Sequence, residues 1–380
     1  MAFNSKFKDV ITISSANFGA AIILGFFWFF LASILDKSEY GEIGYLMSIA
    51  NVASAISILG LGAVILVYES KKENVFPASL LLILISSSLS GLIVVLITQN
   101  ISLGLLIIGM TIFTITLSGL NSKQKFKKYA IHVLLRAGSI VISSIVLYHV
   151  FGIEGILFGY FIAGLFIIKE LNFFLKNKKI EFSKIKPKIK FMIYVWSSRL
   201  SGVLFWWGDK IIIGSIFGFS MLGSYYVAAQ FMLLMVTIPR ALSQYLIPQE
   251  ARGTKNKTIK IFAIIIAGLL FIISVFLVPF LIEIFLPNYV TSILPIQIMS
   301  IALIPLTILS IQESEFLGKE NSQIILFGGL IQTGLYFLML IILGQTLGLM
   351  GLALGFLVSV SIRTVYTQIM RKYIIYEKSK

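Results

Sequence analysis

Apolar runs of about 20 residues follow one another along almost the whole chain, and this pattern is what most constrains the fold. The hydrocarbon core of a bilayer is about 30 Å thick and needs about 20 apolar residues per helical span. Only 12% of the residues are charged and the mean hydropathy is +0.98, whereas soluble domains are about 25% charged. The sequence therefore predicts an all-α integral membrane protein.

Twelve such runs can be separated by their polar connections, six in each half of the chain. The first run is too long for a removable signal peptide and lacks a small-residue cleavage site. The predicted spans lie near residues 10–34, 43–68, 76–98, 101–120, 129–151, 153–175, 191–217, 221–249, 258–286, 289–316, 321–343 and 347–370.

Lysine and arginine in the short connections predict the orientation, because cytoplasmic loops carry an excess of both. In this chain the basic connections alternate with connections that carry almost no basic residue. Lys37 is the only lysine or arginine in this second set of connections, which is therefore the outer one. We therefore expect both termini in the cytoplasm. The net charge of +15 then follows from topology, so no nucleic-acid partner is expected.

The longest basic connection, LKNKKIEFSKIKPKIK, divides the chain into two halves. It predicts an N-terminal lobe of six helices (1–175), a cytoplasmic linker (176–190), a second six-helix lobe (191–370) and a cytoplasmic tail (371–380). The halves share a pattern, since ILDKSEYGEIGYLMSI and IFGFSMLGSYYVAAQF each place a bulky residue and a glycine before a helix, at Tyr40-Gly41 and Leu222-Gly223. An even number of spans per half predicts parallel repeats with a cavity between them.

Some cations lie within the apolar runs, where a charge costs at least about 2.5 kcal/mol at the bilayer centre. At 100° per residue, Arg199, Trp206 and Lys210 would share one face of an α-helix, which predicts that they line a lumen. Asp209 is predicted to pair with Lys210 or with an arginine of a neighbouring helix, or to couple an ion gradient. The full set of intramembrane cations is Arg136, Arg199, Lys210, Arg240 and Arg363.

The four arginines fall in the inner half of their predicted spans, where a lipid pyrophosphate made in the cytoplasm would meet them. Guanidinium groups suit phosphate oxygens, although an arginine at this depth can also snorkel to the interface. Snorkelling is the preferred interpretation for Arg363. Both interpretations stay open for Arg136, which shares a helix face with His132, itself a second candidate for ion coupling.

Other polar and aromatic side chains within the spans have two interpretations each. Trp206 can stack on a sugar ring or belong to an interfacial aromatic belt. Gln230 and Gln244 can bind sugar hydroxyls or form interhelical hydrogen bonds. Neither histidine has a second ligand at a metal spacing, and the chain has no cysteine, so no metal site and no cofactor are expected.

Three segments resemble a known family: FWFFLASILDKSEYGEIGYLMSI, the LGLG at 59–62, and WWGDKIIIGSIFGFSMLGSYYVAAQF. They resemble the Wzx-like O-antigen and repeat-unit flippases of the multidrug/oligosaccharidyl-lipid/polysaccharide (MOP) superfamily. The resemblance implies translocation of a lipid-linked oligosaccharide to the outer leaflet, through two six-helix lobes around a cationic lumen. It also implies a place in the cytoplasmic membrane among membrane lipids, beside glycan polymerase or glycosyltransferase machinery.

Two alternative functions differ in class from a flippase. A multidrug or small-solute antiporter of the same superfamily would favour acidic residues in the membrane, whereas cations predominate here. A membrane enzyme such as an oligosaccharide polymerase would need a large loop or paired carboxylates, and no loop in this chain is long enough to be a soluble domain. We therefore expect a transporter and not an enzyme.

Overall fold

The computed structural model describes residues 2–176, 178–251, 257–318 and 321–377, and its regular structure in these ranges is helical. Of two π-helical turns, Leu204–Gly208 interrupts a longer helix and Ile65–Glu69 follows a short one. Three short 3-10 turns lie at Phe182–Lys184, Lys186–Lys188 and Pro287–Ser292. The α-helices are α1 (Ala2–Ile34), α2 (Lys37–Ile58), α3 (Leu61–Val64), α4 (Phe76–Thr98), α5 (Ile101–Ser122), α6 (Phe126–Phe151), α7 (Ile153–Leu165), α8 (Ile168–Leu175), α9 (Ile189–Val203), α10 (Asp209–Phe217), α11 (Phe219–Ala251), α12 (Lys257–Phe285), α13 (Ile293–Ile301), α14 (Leu303–Gly318) and α15 (Ser322–Glu377).

Within these described ranges, 11 helical segments are long and apolar enough to cross a membrane. The last of them, Gln323–Tyr373, has 51 residues and would be about 76 Å long as a straight helix, more than twice the thickness of a bilayer core. Gly348 breaks it, with φ +58° and ψ −135°. The prediction of a multi-pass, all-α membrane protein is confirmed.

The chain forms two compact units. Unit 1 contains the described residues up to Phe27 together with Leu46–Val203, and unit 2 contains Trp28–Tyr45 together with the described residues from Leu204 onward. In unit 1 a buried apolar cluster joins α3, α4, α5 and α8, with the rings of Phe76 and Phe174 stacked at 4.2 Å between centroids.

A buried carboxylate fixes one end of unit 1. Glu69 is 1% exposed, and its Oε2 accepts hydrogen bonds from the backbone N–H groups of Val75 (2.9 Å) and Phe76 (3.3 Å). These groups begin α4, where N–H groups have no partner within the helix. Glu69 Oε1 accepts from Nζ of Lys123 (3.0 Å) and Lys178 (3.2 Å). Burial raises the pKa of Glu69, but the two ammonium groups together outweigh it and hold the pKa below its ordinary value.

Glu69→Gln is expected to destabilise the protein by about 2 kcal/mol, the range of hydrogen bonds to charged groups. Because the folded pKa is depressed, the stabilisation is present above the ordinary pKa of 4.5 and is lost as the pH falls through the folded pKa. Melting temperatures of wild type and variant in detergent micelles should therefore differ at pH 7 and converge below pH 4.5. A difference that persists unchanged at low pH would contradict the charge-based account.

Two glycines in unit 2 allow the starts of α2 and α11 to cross in direct backbone contact. A Cβ added to Gly41 would lie 1.9 Å from the carbonyl oxygen of Phe219, and one added to Gly223 would lie 1.9 Å from that of Lys37. Each glycine therefore faces the residue four positions before the other glycine. The repeated sequence pattern corresponds to a symmetric crossing in which only a hydrogen atom fits, as small residues permit between membrane helices.

An aromatic cluster packs beside this crossing. The ring of Tyr226 lies 5.2 Å from Trp28 and 5.4 Å from Tyr40, and Tyr40 in turn lies 5.8 Å from Tyr289. The three tyrosines are fully buried. Tilted and edge-to-face rings at these distances attract one another beyond the effect of area burial, so within unit 2 the cluster joins the segment Trp28–Tyr45 to α11 and to the 3-10 turn Pro287–Ser292.

A second close backbone approach lies in unit 1, where α9 packs on the end of α2. Gly60 has φ +73°, and a Cβ there would lie 2.3 Å from the carbonyl oxygen of Met192. Trp196 Nε1 donates to the carbonyl oxygen of Ile56 at 3.2 Å. In the LGLG motif at 59–62, the first glycine is therefore required by its positive φ and by its close contact with the backbone of Met192. The second glycine has neither constraint.

Candidate functional site

The seventh predicted span is not one continuous α-helix. Its α9 ends at Val203, the π-helical turn Leu204–Gly208 follows, and α10 begins at Asp209. The single face predicted for Arg199, Trp206 and Lys210 assumed 100° per residue throughout, and the wider i→i+5 turn breaks that spacing. The shared face therefore stays a prediction, and the residues of the span remain candidates individually.

Asp209 and Lys210 form a buried ion pair at the start of α10. Each is 2% exposed, and Lys210 Nζ lies 3.0 Å from both carboxylate oxygens of Asp209. Lys210 also donates to the carbonyl oxygen of Trp206 at 2.7 Å, a backbone group of the π-helical turn. The pair thus satisfies two buried charges and helps to fix the widened turn before it.

Two tyrosines from other helices complete this cluster. Tyr225 of α11 and Tyr336 of α15 donate to Asp209 Oδ2 at 2.8 and 3.1 Å, and their hydroxyl oxygens lie 2.5 Å apart. Both rings are fully buried. The carboxylate therefore joins α10, α11 and α15, and Lys210 is occupied by Asp209 in this structure.

Trp206 belongs to an aromatic group in the same unit. Its ring centroid lies 5.4 Å from that of Phe205 and 6.0 Å from that of Phe356, both in edge-on contact. The side chain is half-buried. Stacking of Trp206 on a sugar ring stays a prediction.

In unit 1 a row of bases follows one face of α6. Lys128, His132 and Arg136 are spaced four residues apart, and side chains at this spacing lie above one another on a helix. Glu170 accepts from Lys128 Nζ at 2.9 Å and lies 3.3 Å from His132 Nε2. We call Lys128, His132 and Arg136 the basic row. Its first member, Lys128, has a half-exposed side chain.

Arg136, the last member of the basic row, has no carboxylate partner among the described residues. Its guanidinium carbon lies 4.5 Å from the centre of the Phe113 ring, a cation–π contact. Its Nε is buried without a hydrogen-bond partner. Such an unneutralised guanidinium with an open donor is suited to receive an anion.

The other predicted site residues occupy different settings. Arg199 on α9 is exposed and forms no ion pair within the described ranges. Arg363 donates to Gln332 Oε1 at 2.6 Å and pairs with Glu313, so its charge is neutralised within unit 2. Gln230 is 5% exposed. The side chains of Arg240 and Gln244 lie outside the described part of α11.

Sequence reasoning did not include Glu170, Tyr225 or Tyr336 in the site. Tyr225 stands in the Tyr-Tyr pair after Leu222-Gly223, and its position 16 residues after Asp209 gave no local sign of contact. Glu170 lies in a stretch dominated by lysines, and the sequence gave no sign that it contacts the basic row. No group of three or more His, Cys, Asp or Glu residues suited to a metal ion occurs where the structure is described.

Solved structures with the same fold are membrane transporters. The lipid II flippase MurJ in an inward closed conformation matches with a TM-score of 0.72 and 17% identity, over 95% of this chain and 87% of that one. An inward-facing multidrug resistance MATE family transporter of the MOP superfamily matches with a TM-score of 0.67 and 14% identity, over 97% and 96%. A MOP superfamily transporter from Pyrococcus furiosus gives 0.65 and 13%, over 98% and 96%. At these identities the likeness shows the fold.

The family follows from the sequence itself. A family model described as polysaccharide biosynthesis protein matches residues 30–258, more than half of the chain. No curated protein matches this chain. The matched range contains the α2–α11 glycine crossing, the basic row and three members of the Asp209 cluster, namely Asp209, Lys210 and Tyr225. This chain therefore belongs to the polysaccharide biosynthesis protein family and is a multi-pass membrane protein with the fold of the MOP superfamily of flippases and transporters.

Proposed function

We propose that this protein is a flippase that moves a lipid-(pyro)phosphate-linked oligosaccharide from the cytoplasmic to the outer leaflet of the cell membrane. The observation that carries the proposal is Arg136, a cation without a carboxylate partner among the described residues, at the end of the basic row. A guanidinium binds phosphate oxygens through paired hydrogen bonds. The polysaccharide biosynthesis family supports a saccharide as the transported group, and the fold shared with a lipid II flippase supports a lipid carrier.

The proposal includes twelve spans with both termini in the cytoplasm, counting α15 as two spans that meet at Gly348. In this topology α6 begins at the cytoplasmic side, so Lys128 lies at the membrane surface. Arg136 lies eight residues further along, about 12 Å deeper at 1.5 Å per residue. A phosphate group entering from the cytoplasmic leaflet would meet Lys128 first and Arg136 second.

The remaining candidates complete a substrate path in this proposal. Arg199 and Arg240 would contact the phosphate groups during transfer, and Trp206, Gln230 and Gln244 would contact the glycan. Lys210 would take part only if its ion pair with Asp209 opened. The six-helix halves, 1–175 and 191–370, would alternate access, with the crossing at Gly41 and Gly223 as the outer junction and the contact at Gly60 as the inner one.

Arg136→Ala is expected to reduce the appearance of glycan at the cell surface by at least about tenfold, because charge-assisted hydrogen bonds contribute about 1.5–3 kcal/mol. Arg136→Lys should restore part of the activity, since the charge returns without the planar fork. Surface glycan is measured by lectin binding, together with the amount of protein in the membrane. Lys127→Ala is the matched control, because Lys127 is exposed on the same helix one position away from the basic row. Equal surface glycan in Arg136→Ala and Lys127→Ala would remove Arg136 from the path.

A multidrug antiporter is less well supported by the geometry. A cationic substrate needs a free carboxylate within the membrane, and the buried carboxylate of Asp209 is already bound by Lys210 and two tyrosine hydroxyls. The polymerase alternative has no support either, because the solved structures with this fold are described as a flippase and as transporters.

A further inference from the structure

The segment 178–190, which follows α8 and includes the first two residues of α9, is bound along one side to the rest of unit 1; we call it the strap. Lys178 Nζ binds Glu69 Oε1 at 3.2 Å, and Lys188 Nζ binds Glu73 Oε2 at 2.7 Å. Ile185, between them, is 4% exposed and belongs to the apolar core of the unit. These contacts determine which side of the strap faces away from the protein.

The free side of the strap combines apolar and basic side chains. Ile180, Phe182 and Ile189 are 53%, 47% and 42% exposed. Lysines 179, 186 and 190 are exposed as well, and none of them forms an ion pair within the described ranges. Apolar groups beside unpaired lysines are typical of segments that lie in a membrane interface, with the apolar groups at the acyl boundary and the ammonium groups at lipid phosphates.

We infer that the strap binds the surface of an anionic phospholipid leaflet. The occupant follows from charge complementarity and from position. The exposed charges of the strap that form no ion pair within the described ranges are all positive, and its one carboxylate, Glu181, is paired with Lys184 at 3.0 Å. The strap leads directly into α9, within the membrane-span candidate Phe182–Phe217, so it lies where the chain enters the bilayer. Glu69 and Glu73 hold the strap at this level by binding the lysines of its other side.

The expected strength can be stated for the three free lysines. A lysine close to an anionic leaflet contributes about fivefold to binding, so removal of all three should weaken the affinity for anionic lipid on the order of 100-fold. Because the three side chains are exposed and form no ion pair within the described ranges, their replacement by glutamine should leave the fold intact.

The first experiment measures depth in the full-length, naturally cysteine-free chain. Single-cysteine variants Phe182→Cys and Ile189→Cys carry a nitroxide label, and the protein is reconstituted in vesicles of phosphatidylcholine with phosphatidylglycerol. Both labels should collide more with oxygen, which partitions into lipid, than with a water-soluble nickel chelate. Ser70→Cys, exposed in another connection of the unit, should show the opposite preference. Nickel-accessible labels at 182 and 189 would overturn the inference.

The second experiment measures lipid affinity by titrating phosphatidylglycerol into neutral detergent micelles and following the fluorescence of a thiol-linked label on the Phe182→Cys variant. Adding K179Q/K186Q/K190Q to this background should lower the affinity on the order of 100-fold. The control K71Q/K72Q/K127Q, in the same background, removes equal charge from three exposed lysines of unit 1 outside the strap and should retain most of the affinity. An equal loss in both variants would indicate a general charge effect, and no loss in the strap variant would point to a protein partner; either result overturns the inference.

Discussion

Asp209→Ala should destabilise the protein by about 3–5 kcal/mol, the typical cost of removing one partner of a buried ion pair. The variant leaves the Lys210 ammonium, which is 2% exposed, without a carboxylate and with the Trp206 carbonyl as its remaining hydrogen-bond acceptor. It also removes the carboxylate acceptor of the two tyrosine hydroxyls. We expect a large fall in the melting temperature of the purified protein in detergent. The loss should be greater than for replacement of any exposed lysine of the strap.

The double variant D209A/K210M tests whether the loss comes from the isolated charge. Replacing both members of a buried ion pair by apolar groups is often close to neutral, so the double variant should recover most of the stability. If it is as unstable as Asp209→Ala, the cluster acts through the tyrosines or through packing. A double variant that is stable but inactive in transport would show that the pair takes part in transport as well as in stability.

Gly223→Ala should have the second largest effect, because its added Cβ would lie 1.9 Å from the carbonyl oxygen of Lys37. The atom in the way belongs to the backbone, so α2 and α11 must move apart and the aromatic contacts beside them must loosen. Overpacking of this kind costs about 3 kcal/mol or more when the neighbour cannot yield. Gly41→Ala should behave in the same way, because its contact with Phe219 is the symmetric one.

Matched controls are available in Gly138 and Gly334, where an added Cβ would meet no atom within 4 Å. Alanine at these helical positions should be neutral or stabilising by up to about 1 kcal/mol, from helix propensity alone. Melting temperatures and surface glycan are compared across the four variants. Equal behaviour of Gly223→Ala and Gly138→Ala would show that the close crossing is not required.

The helical membrane architecture could be predicted from the sequence because each span must bury about 20 residues in lipid and satisfy its own backbone. The same pattern at Gly41 and Gly223 was visible in both halves of the sequence, although it did not by itself predict a crossing. What the pattern did not show was that the two glycines face each other. Contact between residues so far apart in the chain has no local signature.

The site was less predictable than the fold. The positions of the intramembrane charges were evident, but their partners were not, because Glu313, Gln332 and Glu170 are more than 30 residues away from them in the sequence. The π-helical turn at Leu204–Gly208 differs from an α-helix by one residue in the turn. Nothing in its residues Trp206-Trp207-Gly208 predicts this difference. A face calculated at 100° per residue therefore takes no account of this turn.

Transport by the purified protein tests the proposed function most directly. The protein is reconstituted in vesicles containing a fluorescent polyprenyl diphosphate oligosaccharide, and the label that reaches the outer leaflet is followed by quenching with a membrane-impermeant reductant. We predict that wild type and Lys127→Ala move the lipid at similar rates, whereas Arg136→Ala is at least about tenfold slower. A wild-type protein that leaves the probe in its original leaflet, or an Arg136→Ala variant as fast as Lys127→Ala, would contradict the account.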